Sequence, residues 1–145
     1  MFRIKKIFRL PMGHRLSKHN GLCKNVHGHN MKIEVQISCH GLDNNDMVMD
    51  FGVLQNIIDA QTKVYDHCTM LNSTDTDYAN FLRERGRINL FDNADPTAEM
   101  LAYKFYNMFS DAVKKSNQYI NVDFVAIWES DDAVAIFDGC EKDVK

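Results

Sequence analysis

A chain of 145 residues, 45% apolar and 26% charged, fits one globular domain, 1–145, large enough to bury a usable core. Its net charge of −3 gives no general footprint for nucleic acid, and no run approaches the ~20 apolar residues of a membrane span. The basic opening lacks an apolar signal region, because Arg9 and Pro11 interrupt it.

Phe2, Ile4, Phe8, Leu10 and Met12 share one parity, which predicts a strand over 2–14. Pro11 argues for an edge or a bulge near its end, and His14 has the parity of Leu10 and Met12. Residues 15–26 are polar and read as a loop. The alternation over 27–38 is clean. His27, His29, Met31, Ile33, Val35 and Ile37 take one face; Lys32, Glu34, Gln36 and Ser38 take the other. His40 to Asn45 is turn chemistry.

Asp50 is a good N-cap for a helix over residues 51–65, with Leu54, Ile57, Ile58 and Tyr65 on one stripe. The stretch 72–95 is polar and acidic, with a short helix suggested from Tyr78 to Arg85. Asp95-Pro96 predicts a second long helix, with Asp as N-cap and Pro at its first position, ending near Lys115. Two strands, 121–130 and 133–138, close the chain, and apolar residues on both faces of the first suggest a sheet covered on both sides. The order β-β-α-α-β-β gives an α+β class: a four-stranded antiparallel sheet with two helices on one face.

His27 and His29 are two apart, so an extended strand points both imidazoles to one side. With His14 they make three ligands for an ion that keeps an open position, the pattern of a catalytic zinc. Cys23 lies four residues before His27; a structural four-ligand site including it is the competing reading. His19 and His40 sit in polar loops without a strand partner. Asp66 beside His67 reads either as a carboxylate orienting a general base or as a helix-end carboxylate next to a solvated imidazole. Glu129 follows Trp128 on an apolar strand. It either pairs with a ligand that offers two adjacent N–H donors or ends the strand in solvent. Cys23, Cys39, Cys68 and Cys140 match neither a Cys-x-x-Cys zinc site nor a dense secreted framework, so reduced thiols in a cytoplasmic protein are expected.

These residues resemble, nearly end to end, the 6-pyruvoyl-tetrahydropterin synthase / 6-carboxy-tetrahydropterin synthase family. The matching stretches run in order: His14-Arg15-Leu16, Cys23 through Asn30 (Cys-Lys-Asn-Val-His-Gly-His-Asn), Met47 through Phe51, Asp66-His67 with Leu71-Asn72, Pro96-Thr97-Ala98-Glu99, and Trp128-Glu129-Ser130. The resemblance implies the tunnelling fold, in which trimers close a β-barrel and two trimers stack into a homohexamer with active sites between subunits. It implies Zn2+ on His14, His27 and His29, Cys23 as catalytic acid/base, and Asp66 with His67 as its partner dyad. Glu129 would anchor the pterin ring, and Thr97 and Glu99 would line its pocket. The implied substrate is 7,8-dihydroneopterin triphosphate.

Two branches of that chemistry are open. One eliminates triphosphate and keeps a pyruvoyl side chain; the other also loses acetaldehyde and leaves a 6-carboxy group that feeds queuosine synthesis. Three residues separate Cys23 from His27, the spacing of bacterial carboxy-type members, and Asp50-Phe51 has the same flavour. The carboxy-type reaction is therefore expected, with a non-catalytic zinc- or pterin-binding oligomer as the alternative from another class. Departures from the family pattern are Pro11-Met12-Gly13 before His14, Tyr65 before Asp66, Ser130 after Glu129 and a longer 73–95 segment. Arg15, Lys18 and Lys24 are candidate contacts to the triphosphate, or else solvated loop cations.

Overall fold

The computed structural model describes residues 1–140; the last five residues of the expected domain lie outside the described residues. Strands β1 (Phe2–His14) and β2 (His27–Cys39) form a long antiparallel pair in which Ile4 faces Ile37, Leu10 faces Met31 and His14 faces His27. The alternation expected of both is present: Leu10, Met12, Met31, Ile33, Val35 and Ile37 are all buried in the core. Helix α1 (Phe51–Thr62) begins at Asp50, whose carboxylate accepts from the amides of Gly52 and Val53 at 2.7 and 3.2 Å. It stops three residues short of the expected end. There the chain tightens into a turn, with the Tyr65 amide on the Thr62 carbonyl at 2.8 Å.

The next stretch departs most from expectation. It contains β3 (Thr69–Asn72), α2 (Thr76–Arg83) and β4 (Ile88–Phe91), followed by α3 (Ala98–Ser116), β5 (Asn121–Trp128) and β6 (Val134–Phe137). The sheet is six-stranded, in the order β4-β3-β1-β2-β5-β6. Its four central and C-terminal strands form the expected antiparallel unit. Strands β3 and β4 extend it in parallel, joining the end of β1 through Gly13↔Thr69 and His14↔Met70. The four-stranded expectation is corrected to a mixed six-stranded sheet with three helices. Strands of four residues are too short to display alternation, and β4 stands among charged neighbours that read as loop.

Helix α3 is capped by Thr97, whose hydroxyl accepts from the Met100 amide at 3.3 Å, rather than by Asp95. Leu101, Phe105, Phe109 and Val113 of α3 meet Leu54 and Ile58 of α1 in a core against one face of the sheet. Truncating a buried ring such as Phe105 would cost about 3–5 kcal/mol.

Strand β5 carries a bulge. Phe124 faces Gln36 and Val122 faces Ile37, so Asp123 is the extra residue. The bulge turns Val122 to the core with Val125 and Ile127, where strict alternation assigns it to the other side. Asp123 faces away from the core and accepts from Gln36 at 2.8 Å, from Ser38 and from Arg3 at 3.2 Å. With Lys5 bonded to Glu34 at 3.0 Å, this second face is more polar than the two-sided apolar sheet expected. Among the described residues no helix is long and apolar enough to cross a membrane.

Candidate functional site

His14 is the last residue of β1, and His27 and His29 open β2. The register sets His14 opposite His27 and Met12 opposite His29, so the three rings share one face at one end of the sheet. One ligand atom from each lies within 4.8 Å of the others, and ring centroids are 4.5–5.2 Å apart. The two strands approach closely here. Gly28 faces Gly13, and a Cβ on Gly28 would come within 3.0 Å of the Met12 carbonyl oxygen.

The ring nitrogens are committed by the backbone. His14 Nδ1 is 2.8 Å from the Pro96 carbonyl, and His27 Nδ1 is 2.8 Å from the Asn25 carbonyl. A carbonyl only accepts, so each Nδ1 carries its proton and donates it. In the neutral rings both Nε2 atoms then present lone pairs, and these face each other at 3.0 Å. Such an arrangement asks for a cation between them, and a carbonyl-anchored Nδ1–H is how metal-binding imidazoles are oriented. Burial lowers the His14 pKa, opposed by the Pro96 carbonyl and Glu129 and helped by His27 and His29, which favours the neutral ligand form. Three imidazoles with an open side suit a borderline-soft divalent ion, so the residues present fit a metal.

Cys23 lies outside this three-histidine cluster. It sits half-buried in a short 3-10 turn, Leu22–Lys24, within the 15–26 loop. His19 accepts from the Gly21 amide at 2.8 Å and His40 is exposed in a loop after β2, so neither joins the cluster. Glu129 stands one residue beyond β5, its carboxylate 3.9 Å from His14 Nε2. It shares a small cavity with Glu99, Ala98 and Ala133. Thr97 lines a different cavity, with Leu16, Lys18 and Asp95. Asp66 and His67 lie in the turn after α1. The Asp66 carboxylate accepts from His67 Nδ1 at 2.8 Å, and the His67 backbone is left-handed, with φ 51°. They line a groove of about 520 Å³ with Arg9, Pro11, Gln55 and Asp59.

Two of the loop cations are already engaged. Arg15 is buried, paired with Asp75 and stacked on the Tyr78 ring at 4.0 Å; Lys18 bonds the Asn93 carbonyl at 3.2 Å. Lys24 is exposed on the loop. What sequence reasoning missed is the second role of Asp95-Pro96. The signal for it was a proline read only as a helix start. Pro96 fixes the His14 tautomer, and Asp95 accepts from the Ser17 hydroxyl, the Lys18 amide and the Asn72 amide group at 2.6, 2.8 and 3.0 Å. Burial disfavours the Asp95 carboxylate, but these donors outweigh it and hold its pKa below the usual range.

Fold and site together define an α+β protein whose sheet ends in a three-imidazole cluster able to take a metal. The family model for 6-pyruvoyl tetrahydropterin synthase matches residues 3–140, and the chain belongs to that family. Relatives called 6-carboxy-5,6,7,8-tetrahydropterin synthase include that of Aquifex aeolicus, 28% identical over 89% of this chain and 93% of its own length. That of Haemophilus influenzae is 29% identical over 90% and 94%, and that of Rickettsia typhi 31% identical over 74% and 79%. Among solved structures, an uncharacterized Wolinella succinogenes protein superposes with a TM-score of 0.79 at 18% identity, covering 95% of this chain and 98% of that one. The Caenorhabditis elegans 6-pyruvoyl tetrahydropterin synthase gives 0.70 at 19%, covering 95% of each. The fold is the tunnelling fold, as the motifs implied.

Proposed function

We propose that this protein is a zinc-dependent 6-carboxy-5,6,7,8-tetrahydropterin synthase. It converts 7,8-dihydroneopterin triphosphate and water to 6-carboxytetrahydropterin, acetaldehyde and triphosphate, on the way to queuosine. The observation that carries the reading is the preassembled cluster of His14, His27 and His29 with the Glu129 carboxylate 3.9 Å from it. For the branch, the three-residue interval between Cys23 and His27 and the carboxy-type names of the sequence relatives support the carboxy product.

His14, His27 and His29 would hold the Zn2+, which when bound supplies a Lewis acid for the hydroxyls of the substrate side chain. Glu129 accepts from the 2-amino and ring N–H groups of the pterin, which satisfies its carboxylate and fixes the ring beside the cluster. Glu99 borders that pocket, and Thr97, which caps the helix carrying Glu99, meets the substrate from the adjacent cavity. The Cys23 thiolate takes a proton from the side chain, and His67, held by Asp66, relays protons. Asp66 and His67 act on the Cys23 of a neighbouring subunit in a cytoplasmic homohexamer. The test is incubation of the zinc-loaded protein with dihydroneopterin triphosphate and identification of the pterin by mass. A 6-carboxy product is expected; absence of turnover at full zinc loading contradicts the reading, and a pyruvoyl product moves the protein to the sister reaction.

A further inference from the structure

The proposed acid/base, Cys23, lies on a loop with no strand of its own, so its position depends on what ties residues 15–26 to the body. The Leu16 amide bonds the Cys23 carbonyl at 3.0 Å, which makes the turn bearing Cys23 follow Leu16. The next two residues, Ser17 and Lys18, both end on the Asp95 carboxylate. Asp95 is itself 8% exposed and is braced from beneath by Asn72, which is fully buried at the end of β3. Three donors therefore converge on two oxygens, an arrangement that only a carboxylate satisfies: an amide would turn one acceptor into a donor facing a donor. One peptide further on, the Pro96 carbonyl holds His14. The same short segment thus carries one anchor for the metal cluster and one for the thiol loop.

We propose that Asp95 is a positioning residue for Cys23: its carboxylate, through Ser17, Lys18 and Leu16, sets where the thiol stands relative to the three histidines. The proposal rests on Cys23 being the acid/base of the reading above. The Asp95 carboxylate bonds Ser17, Lys18 and Asn72 and none of the three histidines, so its effect on Cys23 runs through the loop.

The experiment uses the full chain loaded with Zn2+ and the variants Asp95→Asn and Ser17→Ala, assayed well below their unfolding midpoints. Asp95→Asn is expected to lower kcat by about 10–100-fold, the cost of misplacing a reacting group from outside the site. KM should change less than kcat, because the proposed ring anchor Glu129 and its neighbour Glu99 lie off the loop. Zinc content should be unchanged. Iodoacetamide should alkylate Cys23 several-fold faster relative to exposed Cys140 in the same chain, since an untied loop opens more often. Ser17→Ala, which removes one of the three donors and leaves Asp95 in place, should move kcat and alkylation the same way by less. Alkylation and zinc content need no turnover, so an inactive wild-type enzyme would sink the functional reading and still leave the loop tested. Unchanged Cys23 alkylation in a folded Asp95→Asn protein, or zinc lost in step with activity, overturns the proposal.

Discussion

The histidine cluster and the Asp66–His67 pair are built in opposite ways. His14 is fully buried, sits on a thirteen-residue strand and has its ring fixed by a backbone carbonyl. His67 stands in a turn, its side chain 76% exposed, held by the carboxylate of its own neighbour. The first site is assembled by the register of one chain. The second is a functional-looking pair in an open groove, and among the described residues no hydrogen bond or ion pair links it to Cys23. On the proposed reading, the three histidines can take a metal within one chain, whereas a relay from His67 to Cys23 would need a second subunit over that groove.

The deepest test of the contrast is on the metal side. His27→Ala removes one of the two facing nitrogens; zinc stoichiometry by elemental analysis should collapse and turnover should vanish while the fold, built on β1–β2 and α3, persists by circular dichroism. On the relay side, Cys23→Ala and His67→Ala should each cost about 10²–10⁴-fold in turnover with zinc retained, the usual range for a lost general acid or base. Mixing the two inactive variants under subunit exchange should restore part of the activity, because a mixed oligomer holds sites with both groups intact. No recovery would place the relay within one chain and break the comparison. The smallest expected effect concerns the strand approach. Gly28→Ala pushes a methyl against the Met12 carbonyl at 3.0 Å, and zinc affinity, read by chelator competition, should fall by about tenfold, as for other changes just outside a ligand set.

Much of this was legible in the sequence, for identifiable reasons. Over 27–38 the period-2 alternation is unbroken, and a two-residue interval between histidines has only one geometric meaning on a strand. Asp50 reads as a cap because its neighbours leave amides for it to accept. The parallel strands β3 and β4 were not legible, because four-residue strands carry no period and their pairing is decided by the end of β1. The bulge at Asp123 was equally hidden: one inserted residue reverses the facing of Val122, and nothing local announces it. Asp95 was misread because an Asp before Pro is a good helix start on local grounds. Tertiary donors from Ser17, Lys18 and Asn72 claim the carboxylate instead, and Thr97 takes the cap.

The proposed reaction is read most directly from the ratio of acetaldehyde to triphosphate released by the zinc-loaded protein from dihydroneopterin triphosphate. Equal amounts of the two are expected, both falling together by about 10²–10⁴-fold in the Cys23→Ala variant. Triphosphate released without acetaldehyde would contradict that reaction.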